Sequence, residues 1–144
     1  MQEQERKTKQ VIVFRHDLLK GEHAIRRGKF SAQCGHASLG ALLQTFTKTE
    51  ESDKITYTCT FDKDSVLDKW LNGIFTKIVV SVENEDELVA LYERIKKENP
   101  YIPCVMIEDN GLTEFHGEKT KTCIGIGPFW SDEIDKFTKN LKLL

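Results

Sequence analysis

Apolar positions along the chain follow two rhythms. Val11-Ile12-Val13-Phe14 is a short continuous run bounded by polar residues. Its length and β-branched content predict a strand covered on both faces. Lys77–Val82, Cys104–Ile107 and Cys123–Ile126 have the same character. Between these runs the period lengthens. Residues 29–46 place apolar side chains at helical spacing. After Asn84, a capping residue, Glu85, Asp86 and Glu87 fill a first turn, and Leu88, Leu91 and Ile95 form a core face. Lys96 and Lys97 close that helix before Pro100. Ser131 opens a last helix carrying Ile134, Phe137 and Leu141, and a short one spans Val66 to Leu71 ahead of Gly73.

Strands alternating with helices predict an α/β fold: a single three-layer domain with a mixed sheet of about four core strands and helices on both faces. The third and fourth strands are joined without a helix, so the sheet is expected to be mixed. Two segments fall outside this scheme. Thr47–Lys54 is polar and is expected to be a long loop. Ile55–Phe61 alternates with period two, which predicts an extra, half-exposed strand.

A length of 144 residues suits one domain with a real core. With 39% hydrophobic and 31% charged residues, the composition is that of a soluble globular protein and argues against disorder. No apolar run approaches the roughly 18 residues of a membrane helix, and Met1–Lys7 has no signal-peptide core. The expectation is a cytoplasmic protein with no membrane partner. A net charge of −2 excludes a uniformly basic nucleic-acid coat. Yet Arg6, Lys7, Lys9, Arg15, Lys20, Arg26, Arg27 and Lys29 gather in one stretch against only Asp17 and Glu22. Such an end can steer an anionic partner, and a solvated face gives the same pattern. Cys34, Cys59, Cys104 and Cys123 form no CxxC pair, and no histidine lies at zinc spacing. Free thiols in a reducing compartment fit them, and neither a metal nor another cofactor is expected.

The helix from Lys29 carries most of the candidate chemistry. Phe30, Cys34, Ala37 and Ala41 share one face, and Ala32, Leu39, Leu43 and Phe46 a nearly opposite one. A helix buried on two sides is expected, with Lys29, Gln33 and His36 in a narrow polar stripe. That stripe is either a solvent edge or the lining of a site. Lys29 in the first turn opposes the helix dipole, and an N-terminus preceded by Arg26, Arg27 and Gly28 suits a phosphate. Taken singly, Lys29 also fits a surface lysine and His36 a structural histidine. Asp109-Asn110-Gly111-Leu112-Thr113 follows the third strand at its carboxyl end, where ligands bind in open α/β sheets. The same residues also make an ordinary turn. Gly125-Ile126-Gly127-Pro128 lacks the third glycine of a dinucleotide fingerprint and is not taken as one.

Together these segments resemble a family. Lys9–Arg15 with Asp17-Leu18 resembles the start of the type 2 peptidyl-tRNA hydrolases, and Gly28-Lys29-Phe30-Ser31-Ala32-Gln33-Cys34-Gly35-His36-Ala37 resembles their G-K-x-A-A-Q-C-S-H-A motif. Asp109–Thr113 is similar to their D-A-G-x-T, and Thr122–Pro128 to T-V-L-G-I-G-P. Ser31, Gly35 and Asn110 depart from those motifs, and the segments 19–27, 47–69 and 114–121 are longer than usual. The resemblance implies a polar tail at 1–8 and a hydrolase domain at 9–144 with an insertion at about 47–65. It implies hydrolysis of the ester joining a peptide to tRNA, peptidyl-tRNA as partner, no metal, and a homodimer. On this reading Lys29, Asp109, Thr113 and His36 are catalytic. Arg15, Lys20, Arg26, Arg27, Gln33, Gly111 and Thr122 bind substrate. Two alternatives remain at this stage: a non-catalytic tRNA- or protein-binding module, and an esterase for another acylated substrate.

Overall fold

Each continuous apolar run forms a strand held between helical layers. The computed structural model describes residues 5–112 and 115–144, apart from the His116 side chain. The chain runs β1 (Thr8–Arg15), α1 (Arg27–Leu43), β2 (Thr47–Glu51), β3 (Lys54–Thr58), α2 (Val66–Leu71), β4 (Lys77–Val82), α3 (Glu85–Glu98), β5 (Cys104–Asp109), β6 (Thr120–Trp130), α4 (Ser131–Thr138) and β7 (Lys142–Leu143). Single 3-10 turns lie at His16–Leu18 and Phe115–Gly117. The main sheet has the order β5-β6-β1-β4-β7, and β2 and β3 make a separate hairpin. Among the described residues β1 and β4 pair in parallel and the other pairs of the main sheet are antiparallel. The sheet is therefore mixed.

Alternation along β1 sorts the core into two layers. Val11 and Val13 join Leu88, Leu91 and Ile95 of α3 and Ile134 and Phe137 of α4 on one face. Ile12 and Phe14 join Ala37, Phe30 and Cys34 of α1 on the other. Gly125 makes the second layer thin. A Cβ there would lie 2.2 Å from the carbonyl oxygen of Ala37, so α1 rests directly on the β6 backbone. Gln10, fully buried on β1, fixes the helix lengthwise: its Nε2 donates to the carbonyls of Ser38 and Gly127, and Ser38 Oγ donates to its Oε1. The Gly-Ile-Gly run thus serves close packing, with Gly127 at a positive φ of 92°.

Four expectations need correction. Thr47–Lys54 is not a long loop: its first five residues form β2, paired with β3 across a two-residue turn. The alternating segment ends as a strand at Thr58 and is exposed on both faces, because no layer covers it. The second apolar face of α1 is also uncovered, with Ala32, Leu39 and Leu43 exposed, since the sheet meets this helix from one side only. The last helix stops at Thr138, and the chain then adds β7 beside β4. Among the described residues, no helix is long and apolar enough to cross a membrane.

Candidate active site

α1 and β5 bring the two central candidates together. Arg26 occupies the N-cap of α1 but its side chain does not cap the helix, and the first turn, Arg27-Gly28-Lys29, carries no acid. Lys29 extends from that turn to Asp109 at the carboxyl end of β5. Its Nζ donates to Oδ1 at 3.0 Å and lies 2.7 Å from Oδ2. The side chains are 17% and 6% exposed, so the pair is largely withdrawn from water. The Gly111 N–H adds a bond to Oδ1 at 3.2 Å. Gly111 holds φ at +76°, and a Cβ there would meet the Glu118 backbone at 2.4 Å. Glycine is required to bring this amide back onto the carboxylate.

Burial alone would raise the pKa of Asp109. The Lys29 hydrogen bond, the Gly111 amide, the Lys29 charge and the charge of His36 outweigh it, and the net shift is downward. Asp109 is therefore a carboxylate at neutral pH. The Phe115 ring lies 6.0 Å from Lys29 Nζ. Beside the pair a cleft of about 760 Å³ is lined by Leu18, His23, Ile25 and Arg26 on one side and by Gly111 and Phe115 on the other, among others. A second groove, about 660 Å³, lies against residues 5–9 and 73–78 and contains none of the candidates.

A bulge organises the wall behind Asp109. Ile107 pairs with Cys123 and Glu108 with Lys121, so Thr122 is the extra residue in β6. Its fully buried hydroxyl donates to Gln33 Oε1 at 2.6 Å. The bulge and this bond tie α1 to the sheet just before Asp109. Gln33 and Thr122, read as substrate-binding, thus face each other inside the protein. His36 is exposed on α1 yet close enough for its charge to act on Asp109.

The remaining candidates are spread along the rim. Arg15 is 13% exposed and engaged by Asp17, the Lys121 carbonyl and Glu85. It ties the end of β1 to its neighbours. Lys20 lies 3.8 Å from Glu83 with its side chain in solvent. Arg26 and Arg27 are exposed at the start of α1. Thr113 lies outside the described residues. Among those described, no group of three or more His, Cys, Asp or Glu is gathered where it could hold a metal ion. Burial pushes the Cys34 thiol to about 11 and those of Cys104 and Cys123 to about 12, so none supplies a thiolate nucleophile. Sequence reasoning did not identify Phe115 as a neighbour of Lys29; no periodicity or motif marked it.

The family model for peptidyl-tRNA hydrolase PTH2 matches residues 8–144. The chain belongs to the PTH2 family. A peptidyl-tRNA hydrolase of Methanopyrus kandleri is 38% identical over 136 residues, covering 94% of this chain and 97% of its own length. One from Methanothermobacter thermautotrophicus is 39% identical, with coverage of 94% and 99%. One from Sulfurisphaera tokodaii is 38% identical over 137 residues, with coverage of 95% and 98%. The PTH2 match spans every strand of the sheet and both elements that carry the Lys29–Asp109 pair.

Proposed function

We propose that this member of the PTH2 family hydrolyses the ester of peptidyl-tRNA at the Lys29–Asp109 pair, releasing free tRNA for reuse in translation. Family membership supports the reaction, and the binding-module and small-ester readings have no observation in their favour. The observation that carries the site is a withdrawn ion pair where two expected catalytic segments meet at the carboxyl end of β5.

Water adds to the ester carbonyl, the tetrahedral oxyanion collapses, and the carbon–oxygen bond to the ribose breaks as that oxygen gains a proton. A carboxylate whose pKa is lowered is a weak base, so Asp109 orients the attacking water more than it removes its proton. Lys29 supplies positive charge to the developing oxyanion or the terminal phosphate. Thr113 orients the water or Asp109, the Gly111 amide fixes the carboxylate, and His36 is the candidate proton donor. Arg26, Arg27 and Lys20 hold the tRNA backbone by charge, with Arg15 as a more distant candidate. The protein acts as a homodimer in the cytoplasm.

The test is release of free tRNA from an N-blocked aminoacyl-tRNA, with Lys29→Ala beside the wild type. Turnover that collapses in the variant supports the reading. A folded wild type that binds tRNA without turnover would make the chain a binding module.

A further inference from the structure

The hairpin lies inside the segment expected to be an insertion. Among the described residues, β2 and β3 pair with each other and pack closely on no other helix or strand. All ten of their residues are exposed. An isolated two-stranded hairpin is marginal in water, and three or more strands are needed for stability. It leaves the far end of α1, about 25 Å from the turn that holds Lys29. With Lys48 and Lys54 against Glu50, Glu51 and Asp53, it repels rather than attracts RNA.

Its two edges differ. Glu51 and Lys54 flank a two-residue turn, where the flanking pair exchanges both backbone bonds; by alternation along the register the same holds for Thr49 with Thr56 and Thr47 with Thr58. The alternate pairs, Glu50–Ile55 and Lys48–Tyr57, therefore point their N–H and C=O groups off the outer edges. The β2 edge presents Lys48 and Glu50, charges of the kind that discourage strand pairing. The β3 edge presents Ile55 and Tyr57, 60% and 53% exposed.

We propose that β3 pairs antiparallel with β3 of a second copy of this chain, centred on Thr56, making one four-stranded sheet from two hairpins. Ile55 then exchanges both backbone bonds with the second copy's Tyr57, and the reverse pair does the same. Thr56 faces its own copy, and Lys54 faces Thr58. The two rows that pass through Ile55 and Tyr57 each run Glu50, Ile55, Tyr57, Lys48 across the joined sheet. The apolar pair is central, the ends carry opposite charges, and no like charges are adjacent. This deepens the homodimer reading and rests on it.

Sedimentation equilibrium of the full chain should give twice the 16.6 kDa chain mass at tens of micromolar. Tyr57→Pro removes an outward donor while sparing the ladder to β2. It should weaken dimerisation by about tenfold or more with unchanged circular dichroism and tRNA release. Thr56 faces itself at a close, non-hydrogen-bonded position. The double variant Cys59→Ser/Thr56→Cys should form a reducible dimer with oxidised glutathione, which accepts two electrons and leaves as two thiols. Cys59→Ser/Thr49→Cys should not. Where Tyr57→Pro unfolds the hairpin, the cross-link alone decides. A monomeric wild type overturns both the edge and the homodimer. A dimer that ignores Tyr57→Pro and shows no Thr56 cross-link, or one that cross-links through Thr49, overturns the edge alone. Loss of tRNA release in the wild type would overturn the hydrolase reading and leave the edge standing.

Discussion

Asp109 shows what one residue owes to its neighbours. Its folded pKa lies below the ordinary value near 3.8, because Lys29, Gly111 and His36 together outweigh burial. A depressed carboxylate pKa stabilises the fold above the unfolded value, and that stability is lost as pH falls through the folded one. The contribution should be complete above about pH 5 and fall away only as pH drops below 3.8, through the lowered folded value. Denaturant titrations at pH 7 and pH 3 test this: the stability gap between wild type and Asp109→Asn should shrink at the lower pH. In Lys29→Ala the burial effect is left with fewer opponents. Carbon NMR titration of the Asp109 carboxyl should then move its midpoint upward; an unmoved midpoint would deny the pair its electrostatic role. Asp109→Asn keeps the shape and loses the charge. Turnover should fall about 10²- to 10³-fold with little change in tRNA affinity, and near-normal kcat would remove Asp109 from the reaction. The sequence marked Lys29 and Asp109 by residue type and position. It marked Gly111 but not the bond from its amide to the Asp109 carboxylate, because that hydrogen bond depends on the Glu118 backbone packed beside the turn.

At the scale of elements, the site depends on how closely α1 approaches the sheet. Gly125→Ala puts a methyl group where the Ala37 carbonyl stands, and neither backbone can yield without shifting the helix. A destabilisation of about 1–3 kcal/mol is expected, read as a lower Tm, with turnover also falling because Lys29 rides on the displaced helix. Thr122→Val is the milder probe. It leaves Gln33 Oε1 buried without its donor, at about 1–3 kcal/mol, and equal stability to wild type would refute the brace. The periodic elements were legible: β1, β4, α3 and the inner face of α1 follow directly from apolar spacing. The outer face of α1 misled, since helical periodicity shows that a side is apolar and not that anything covers it. Polar Thr47–Glu51 became a strand because β3 supplied the hydrogen bonds, a pairing that composition does not encode. The Thr122 bulge was hidden for the same reason, since register is a property of two strands.

Across the whole molecule, a chain of net charge −2 must bind a polyanion through a local asymmetry. Several cations counted in that asymmetry are engaged within the fold. Arg6 pairs with Asp132, Lys9 with Asp135, and Arg15 with Asp17 and Glu85. The stretch is thus less basic toward a partner than its composition suggests. Arg26 and Arg27 differ in location: they stand exposed where the cleft meets the N-terminus of α1, whose dipole also favours phosphate. Replacing both with alanine should raise KM for peptidyl-tRNA and leave kcat nearly unchanged. For every phosphate no longer neutralised, the slope of log affinity against log salt should flatten by about 0.7–0.9. Arg15→Ala should instead lower Tm with little effect on that slope, because it holds the end of β1 in place. Titrating salt from low to moderate concentration against both variants separates the roles. A slope unchanged in the Arg26/Arg27 variant would move the tRNA path away from the start of α1, and a flattened slope in Arg15→Ala would bring it to the end of β1.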